Sequence, residues 1–361
     1  MNPLSFIIIG SGWRAMFYVR IAKKYPHLFR LQYMLCRTEE KAERIRKEQR
    51  IPVTLSEVEC EKARPDFVVA AVTKNAVFDV TKKWALKGFP VLSETPAAME
   101  LWQLKELWNL KQNKGAGIQV AEQYHRYPLL AAGLRYIIKN TETAHLNLAE
   151  PYAVTLSAAH DYHGISLIRH LLHMKMEPVK MQGKKYTFPV VETDSRYGAV
   201  TDGTVKDRDR TRITMEFASG KTAFYDFSGV QYHSFIRARH LNVQGENWEW
   251  NDTVLRYTDE NNCPAEKKLT PFFDTAYETL VSKETKENNR QWSPFLKLDE
   301  WQDEYAIASM MLDMRAFIEE GKEIYPLAES LEDAYLWILM QKAVQNPGEA
   351  VKSETMPWHA P

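Results

Sequence analysis

Phe6-Ile7-Ile8-Ile9-Gly10-Ser11-Gly12-Trp13-Arg14-Ala15 decides the fold: an aliphatic strand runs into two closely spaced glycines and leaves as a helix. Gly10 permits a sharp turn off the strand, Gly12 has no Cβ to obstruct an anion, and Ala15 is small enough for the helix to lie on the sheet. The N–H groups that open a helix near Trp13 carry the positive end of its dipole. Strand, glycine turn and helix in this order make a pyrophosphate cradle, with Gly10, Ser11, Gly12, Trp13 and Arg14 around the phosphates.

Outward from that turn, short apolar segments alternate with longer helical ones as far as Val120. Strands are expected at Phe6 to Ile9, Leu31 to Cys36, Phe67 to Val72, Pro90 to Ser93 and Ile118 to Ala121. Helices are expected over Glu39 to Gln49, Val77 to Lys87 and Glu100 to Lys114, the last stopping before Gly115. Alternation of this kind predicts an α/β N-terminal Rossmann domain with a doubly wound parallel sheet over residues 1–122. After Gln123 the pattern changes. A helix from Pro128 to Lys139 precedes strands at Ala153 to Ala158, Thr211 to Phe217 and Thr222 to Phe227, the last two joined by an Ala218-Ser219-Gly220-Lys221 turn. Residues 123–361 therefore predict an α+β domain with an open, mainly antiparallel sheet, suited to substrate binding and oligomerisation. Val191 to Arg210, rich in Asp, Gly, Thr and Arg, reads as a surface loop. Helices over Glu300 to Gly321 and Ser330 to Gln345 close the pattern and are expected to pack back on the first domain.

At 361 residues the chain exceeds one comfortable core, so two domains are natural. Forty-seven basic and forty-seven acidic residues give zero formal charge, which offers no field for nucleic acid or an anionic membrane. Cys36, Cys60 and Cys263 show no CxxC spacing, arguing against a disulfide framework and fitting a reducing compartment. No signal-peptide pattern or long apolar span is visible, and a cytoplasmic protein is expected.

The arrangement resembles the Gfo/Idh/MocA oxidoreductases, the family of glucose-fructose oxidoreductase and inositol dehydrogenase. The resemblance covers most of the chain and rests on the glycine turn, Thr73-Lys74-Asn75, Ser93-Glu94-Thr95-Pro96 and the histidine helix beginning near Asp161. It implies a nicotinamide dinucleotide in the first domain and a sugar, polyol or related keto compound against the sheet of the second. It also implies cofactor contacts from Thr73, Asn75, Glu94 and Pro96, a cis peptide at Pro96, and a homodimer or homotetramer formed through the sheet domain. Cys36-Arg37-Thr38 ends the second strand, where an acid would select NAD. A guanidinium and a hydroxyl suit a 2′-phosphate, so NADP is favoured and NAD is possible.

The family places a lysine in the Glu-Lys-Pro motif beside the nicotinamide, and here that position is Thr95. A threonine hydroxyl orients or relays but holds no charge. Alignment of the histidine helix with the family puts the acid-base histidine at His163, an imidazole that titrates near neutrality. The family's flanking aspartates are replaced by Ala159 and Ser166, leaving Asp161 as the acid near His163 and His160. Tyr124, beyond the fifth strand, is a second candidate for proton transfer, and Gln123, His125, Tyr232 and Arg237 add polar groups for a sugar. His163, His170 and His173 lack a Cys or carboxylate at ligand spacing, so no metal is expected. With the lysine absent, two readings stand: an oxidoreductase of CH–OH groups, or a non-catalytic dinucleotide-binding sensor or assembly protein.

Overall fold

The computed structural model describes residues 2–137, 146–195, 198–281 and 300–359. The chain divides into two units, one of Met1–Gln123, Asp303–Tyr335 and Pro357–Pro361, the other of Tyr124–Gln302 and Leu336–Met356.

The first unit is built on six parallel strands: β1 (Leu4–Ile9), β2 (Phe29–Leu35), β3 (Val53–Thr54), β4 (Phe67–Ala70), β5 (Val91–Ser93) and β6 (Ile118–Val120). Their order is β3-β2-β1-β4-β5-β6, a doubly wound sheet whose direction of growth reverses between β1 and β4. Every residue of β1 is buried, which is why the strand is apolar on both faces and shows no alternation. Helices α1 (Trp13–Lys24), α2 (Glu39–Gln49), α3 (Glu57–Lys62), α4 (Lys74–Leu86) and α5 (Leu101–Lys114) connect the strands. The five strands read from sequence are all present. β3 and α3 were not foreseen, because a two-residue strand and a six-residue helix are too short to express a period. The C-terminal part of the chain returns to this unit: Arg20 pairs with Glu304 at 2.6 Å, and Gln119 Oε1 accepts from the Ile324 N–H at 2.7 Å. These contacts involve α8 (Glu300–Glu320) and the segment leading into α9 (Leu327–Gln345).

The second unit holds a nine-stranded sheet. Its order is β16-β15-β14-β13-β7-β12-β11-β8-β17, where β7 is Pro151–Ser157, β8 Val179–Val191, β11 Val205–Phe217, β12 Thr222–Phe227 and β13 His240–Gly245. β14 (Trp248–Asn251), β15 (Val254–Thr258), β16 (Pro264–Lys268) and β17 (Val351–Lys352) complete it. Among the described residues, only β7 with β12 is a parallel pair in this sheet. Val154, Leu156, Ile213, Met215, Ala223 and Tyr225 are buried on one face, whereas Tyr152, Thr155, Arg212 and Phe224 are exposed on the other. Helix α6 (Pro128–Ile137) and helix α7 (Asp161–Leu171) belong to this unit. Ile138 and Lys139, in the expected first helix, lie outside the described residues.

The expected loop over Val191 to Arg210 is corrected. Val191 pairs with Val205 and Tyr186 with Arg210, so the last residues of the supposed loop belong to β11. Both strands run for thirteen residues, and most of their outer positions are exposed. Backbone pairing holds this arm with little burial, leaving no hydrophobic alternation to read. Asp194–Ser195 (β9) and Gly198–Ala199 (β10) form a further short ladder between them. Among the described residues, no helix is long and apolar enough to cross a membrane.

Candidate functional site

In the first unit, Gly10 has φ +110°, and a Cβ built on it would lie 2.2 Å from the carbonyl oxygen of Ala71. Residue 10 is therefore held to glycine by backbone packing at the β1–β4 switch point. Gly12 differs, since a Cβ there would meet nothing within 4 Å. It is the N-cap of α1, no side chain caps that helix, and no acid stands in its first turn. The turn thus presents backbone N–H groups and open space, while Ala15 is fully buried beneath it. Trp13 is 47% exposed beside it. Ser11 is partly buried.

Three further segments end at the same edge of the sheet. Cys36 is buried and donates its N–H to Thr54, while Arg37 and Thr38 are exposed where α2 begins. Thr73 is the exposed N-cap of α4, followed by exposed Asn75. After β5, Glu94 is buried, Thr95 half-buried and Pro96 buried, and the Thr95–Pro96 peptide is cis. Glu94 accepts from the Tyr18 hydroxyl at 2.6 Å and faces Arg14 Nε at 3.6 Å. Arg14 also lies 3.6 Å from Asp303, which accepts from Gln123 at 3.1 Å. Burial pushes the Glu94 carboxyl above its usual range, against the opposing pull of Arg14 and the Tyr18 hydrogen bond. The Tyr18 phenol is driven up by its own burial and then by Glu94.

The second unit gathers a different set. Tyr124 lies in a short 3-10 turn, Tyr124–Arg126, and His160 is the N-cap of α7. Tyr232 joins them: its hydroxyl lies 3.0 Å from the Tyr124 hydroxyl and 2.7 Å from His160 Nδ1, and it accepts the His160 backbone N–H at 3.0 Å. The His163 ring packs 4.5 Å from the Tyr124 ring and 5.1 Å from that of His160. Asp161, at φ +47°, donates its N–H to the Tyr225 hydroxyl at 3.1 Å. Burial pushes the Tyr232 phenol up to about 12, opposed by the Tyr124 hydrogen bond and the charge of Arg239. A cavity of about 940 Å³ opens beside this cluster, lined by His160, Asp161, Tyr225 and Tyr232 on one side and by Lys185, Asp207 and Arg208 of the β8–β11 arm on another.

Residues 4–122 match the family model described as GFO_IDH_MocA, oxidoreductase family, NAD-binding Rossmann fold. This segment is similar to the NAD-binding domain of that family. The whole chain is also similar in fold to solved structures. An oxidoreductase from Agrobacterium radiobacter, in complex with NAD+, L-tartaric acid and magnesium, is 14% identical with TM-score 0.68 over 97% of this chain and 98% of its own. A myo-inositol dehydrogenase from Corynebacterium glutamicum is 14% identical with TM-score 0.65 over 98% and 100%. UDP-N-acetylglucosamine 3-dehydrogenase GnnA from Acidithiobacillus ferrooxidans is 15% identical with TM-score 0.64 over 96% and 99%. Comparison with curated proteins gives no match.

Among the residues singled out from sequence, Gly10, Ser11, Gly12, Trp13, Arg14 and Glu94 come together in the first unit, and Tyr124, His160, Asp161, His163 and Tyr232 in the other. Three stand apart from the second cluster. Gln123 is tied to Asp303 in the first unit. His125 stacks on His170 with ring centroids 4.3 Å apart. Arg237 is exposed. Its neighbour Arg239 is 3% exposed, donates to Ala158 O at 3.4 Å and lies 5.4 Å from the Tyr232 ring. Sequence reasoning missed Tyr18, Tyr225 and Asp303. Each is remote in the chain from its partners, and no local spacing announces it. Among the described residues, no three His, Cys, Asp or Glu side chains form a metal-binding group.

Proposed function

We propose that the chain is a nicotinamide-dependent oxidoreductase acting on a CH–OH group, or the matching ketone, of a sugar, polyol or related compound, with NADP preferred to NAD. The observation that carries the reading is the Gly10–Gly12 turn, closed to a side chain at one glycine and open to an anion at the other. Gly10, Ser11, Gly12, Trp13 and Arg14 hold the diphosphate in this reading, and the exposed Arg37 and Thr38 grip a 2′-phosphate. Cys36, Thr73, Asn75, Glu94 and Pro96 complete the cofactor contacts. When bound, the nicotinamide supplies the hydride acceptor or donor. His163 and Tyr124 handle the substrate proton, Thr95 orients the reacting group, and His160, Asp161 and Tyr232 bind hydroxyls at the cavity wall. The inositol, tartaric acid and nucleotide-sugar names among proteins of this fold support a hydroxylated substrate. The exposed sheet face around Tyr152 and Phe224 pairs with a second copy in this reading.

Calorimetry with NADPH and NADH, followed by a screen of sugars, polyols and their keto forms with both cofactors, tests the proposal. Association of NADPH with turnover of a polyol or sugar is expected. Failure of both cofactors to associate overturns it. Association without turnover selects the sensor reading, which the presence of Thr95 in the lysine position favours.

A further inference from the structure

Tyr232 stands in the middle of a hydrogen-bonded row, between Tyr124 at 3.0 Å and His160 Nδ1 at 2.7 Å. A phenol carries one hydrogen, and the His160 backbone N–H already donates to this oxygen. Tyr232 therefore gives its hydrogen to one neighbour and receives from the other. With neutral His160 bare at Nδ1, Tyr124 donates to Tyr232 and Tyr232 donates to the ring. With His160 as imidazolium, Nδ1–H donates to Tyr232 and Tyr232 donates to Tyr124. Passing between these two polarities moves a proton along the row without ionising either tyrosine.

The ends of the row differ. Tyr124 is 5% exposed, so a proton taken there leaves through hydrogen-bonded neighbours. His160 is half-buried and lines the 940 Å³ cavity. His163 and Tyr232 pack against the His160 ring, Arg239 lies beyond the Tyr232 ring, and Asp161, Tyr225, Lys185, Glu192 and Asp207 are among the groups that line the same cavity.

We propose that Tyr124, Tyr232 and His160 form a proton wire between a substrate hydroxyl at Tyr124 and the cavity in front of His160. The proposal rests on the oxidoreductase reading above. In alcohol oxidation the substrate O–H bond breaks and its proton passes to Tyr124. The Tyr124 hydrogen passes to Tyr232, and that of Tyr232 to His160 Nδ1. The carbonyl forms as the C–H bond gives up its electron pair as hydride, for which a bound oxidised nicotinamide would supply the acceptor, and the imidazolium loses one proton to water in the cavity. Ketone reduction runs the same hops backwards. Tyr124 is the catalytic residue here, and Tyr232 and His160 act through it.

The test is a histidine titration followed by NMR on protein labelled with ¹⁵N-histidine, the His160 signals assigned with His160→Gln. Tyr124→Phe removes the acceptor that Tyr232 needs when His160 is charged. The His160 pKa is expected to fall by about 0.5–1 unit, the worth of one hydrogen bond. In a Tyr232→Phe background the same Tyr124→Phe change has no further effect, since the link is already cut. Absence of the shift, or its persistence undiminished without the Tyr232 hydroxyl, overturns the wire. With the substrate found in the screen, Tyr232→Phe is expected to lower kcat at least about tenfold, and an unchanged kcat overturns the wire. If the NMR coupling holds while no compound turns over, the oxidoreductase reading fails and the hydrogen-bonded row remains. If the coupling is absent while turnover persists, the wire alone fails.

Discussion

The carbonyl oxygen of Ala71 occupies the place where a side chain on residue 10 would begin, 2.2 Å from the ideal Cβ position. Backbone from β4 thus closes one glycine of the turn, while the other faces open space. The two glycines should respond differently to the same substitution. Gly10→Ala combines backbone strain with overpacking and is expected to cost about 2–4 kcal/mol in denaturant unfolding. Gly12→Ala is expected to change stability by no more than about 0.5 kcal/mol. Its cost falls instead on dinucleotide affinity, weakened by about tenfold or more in calorimetry. Equal effects of the two changes on stability would refute the assignment of Gly12 to the phosphate.

Arg37 is exposed at the carboxyl end of β2 with Thr38 beside it. Arg37→Ala is expected to weaken NADPH by about tenfold or more, the loss of a charge-assisted contact to phosphate. NADH should change by less than about threefold. A parallel loss for both cofactors would mean that Arg37 does not read the 2′-phosphate.

His163 is 6% exposed and packs on Tyr124. His163→Asn keeps a polar group of similar reach and removes the titratable ring. Turnover is expected to fall by more than about tenfold, or 1.4 kcal/mol of barrier, with cofactor affinity unchanged. A smaller loss would move the proton chemistry to another residue.

The His125 ring is held well below the usual histidine range by burial, with His170 and Arg126 adding to the effect. The folded state then binds fewer protons than the unfolded chain once pH drops below about 6.5, the unfolded value. Stability should therefore fall as pH is lowered from about 6.5 towards 5, by up to about 1.4 kcal/mol per pH unit for this group. In His125→Gln that share of the slope disappears. Calorimetric melting across this range decides it, and an unchanged slope in the variant would rule out His125 as its source.

Phe224 is 44% exposed on the open sheet face, near Tyr152 at 49%. If that face pairs two copies, Phe224→Lys is expected to shift the mass measured by light scattering towards the monomer while the melting temperature stays within a few degrees. Retention of the oligomer would place the interface elsewhere.

Much of the first unit was legible because its strands are short aliphatic runs buried on both sides, separated by helices with ordinary stops. Phe6 to Ile9, Gly10, Gly12 and Ala15 state their purpose within ten residues. The second unit was less legible. The β8–β11 arm is held by paired backbone and largely bathed in solvent, so Val205 to Arg210 reads as loop though it is strand. The Asp-Gly-Thr vocabulary of turns cannot reveal a partner strand fourteen or more residues away.

The sequence by itself determined a dinucleotide cradle, its parallel sheet and the presence of an antiparallel domain, since each depends on neighbours along the chain. Only the tertiary structure decided that Tyr232 rather than Arg237 meets His160, that Arg239 is the buried arginine, and that Arg14 lies between Glu94 and Asp303. Hydrogen bonds and ion pairs act over a few ångströms in space. When the partners stand 72 or 289 positions apart in the chain, folding alone brings them into that range.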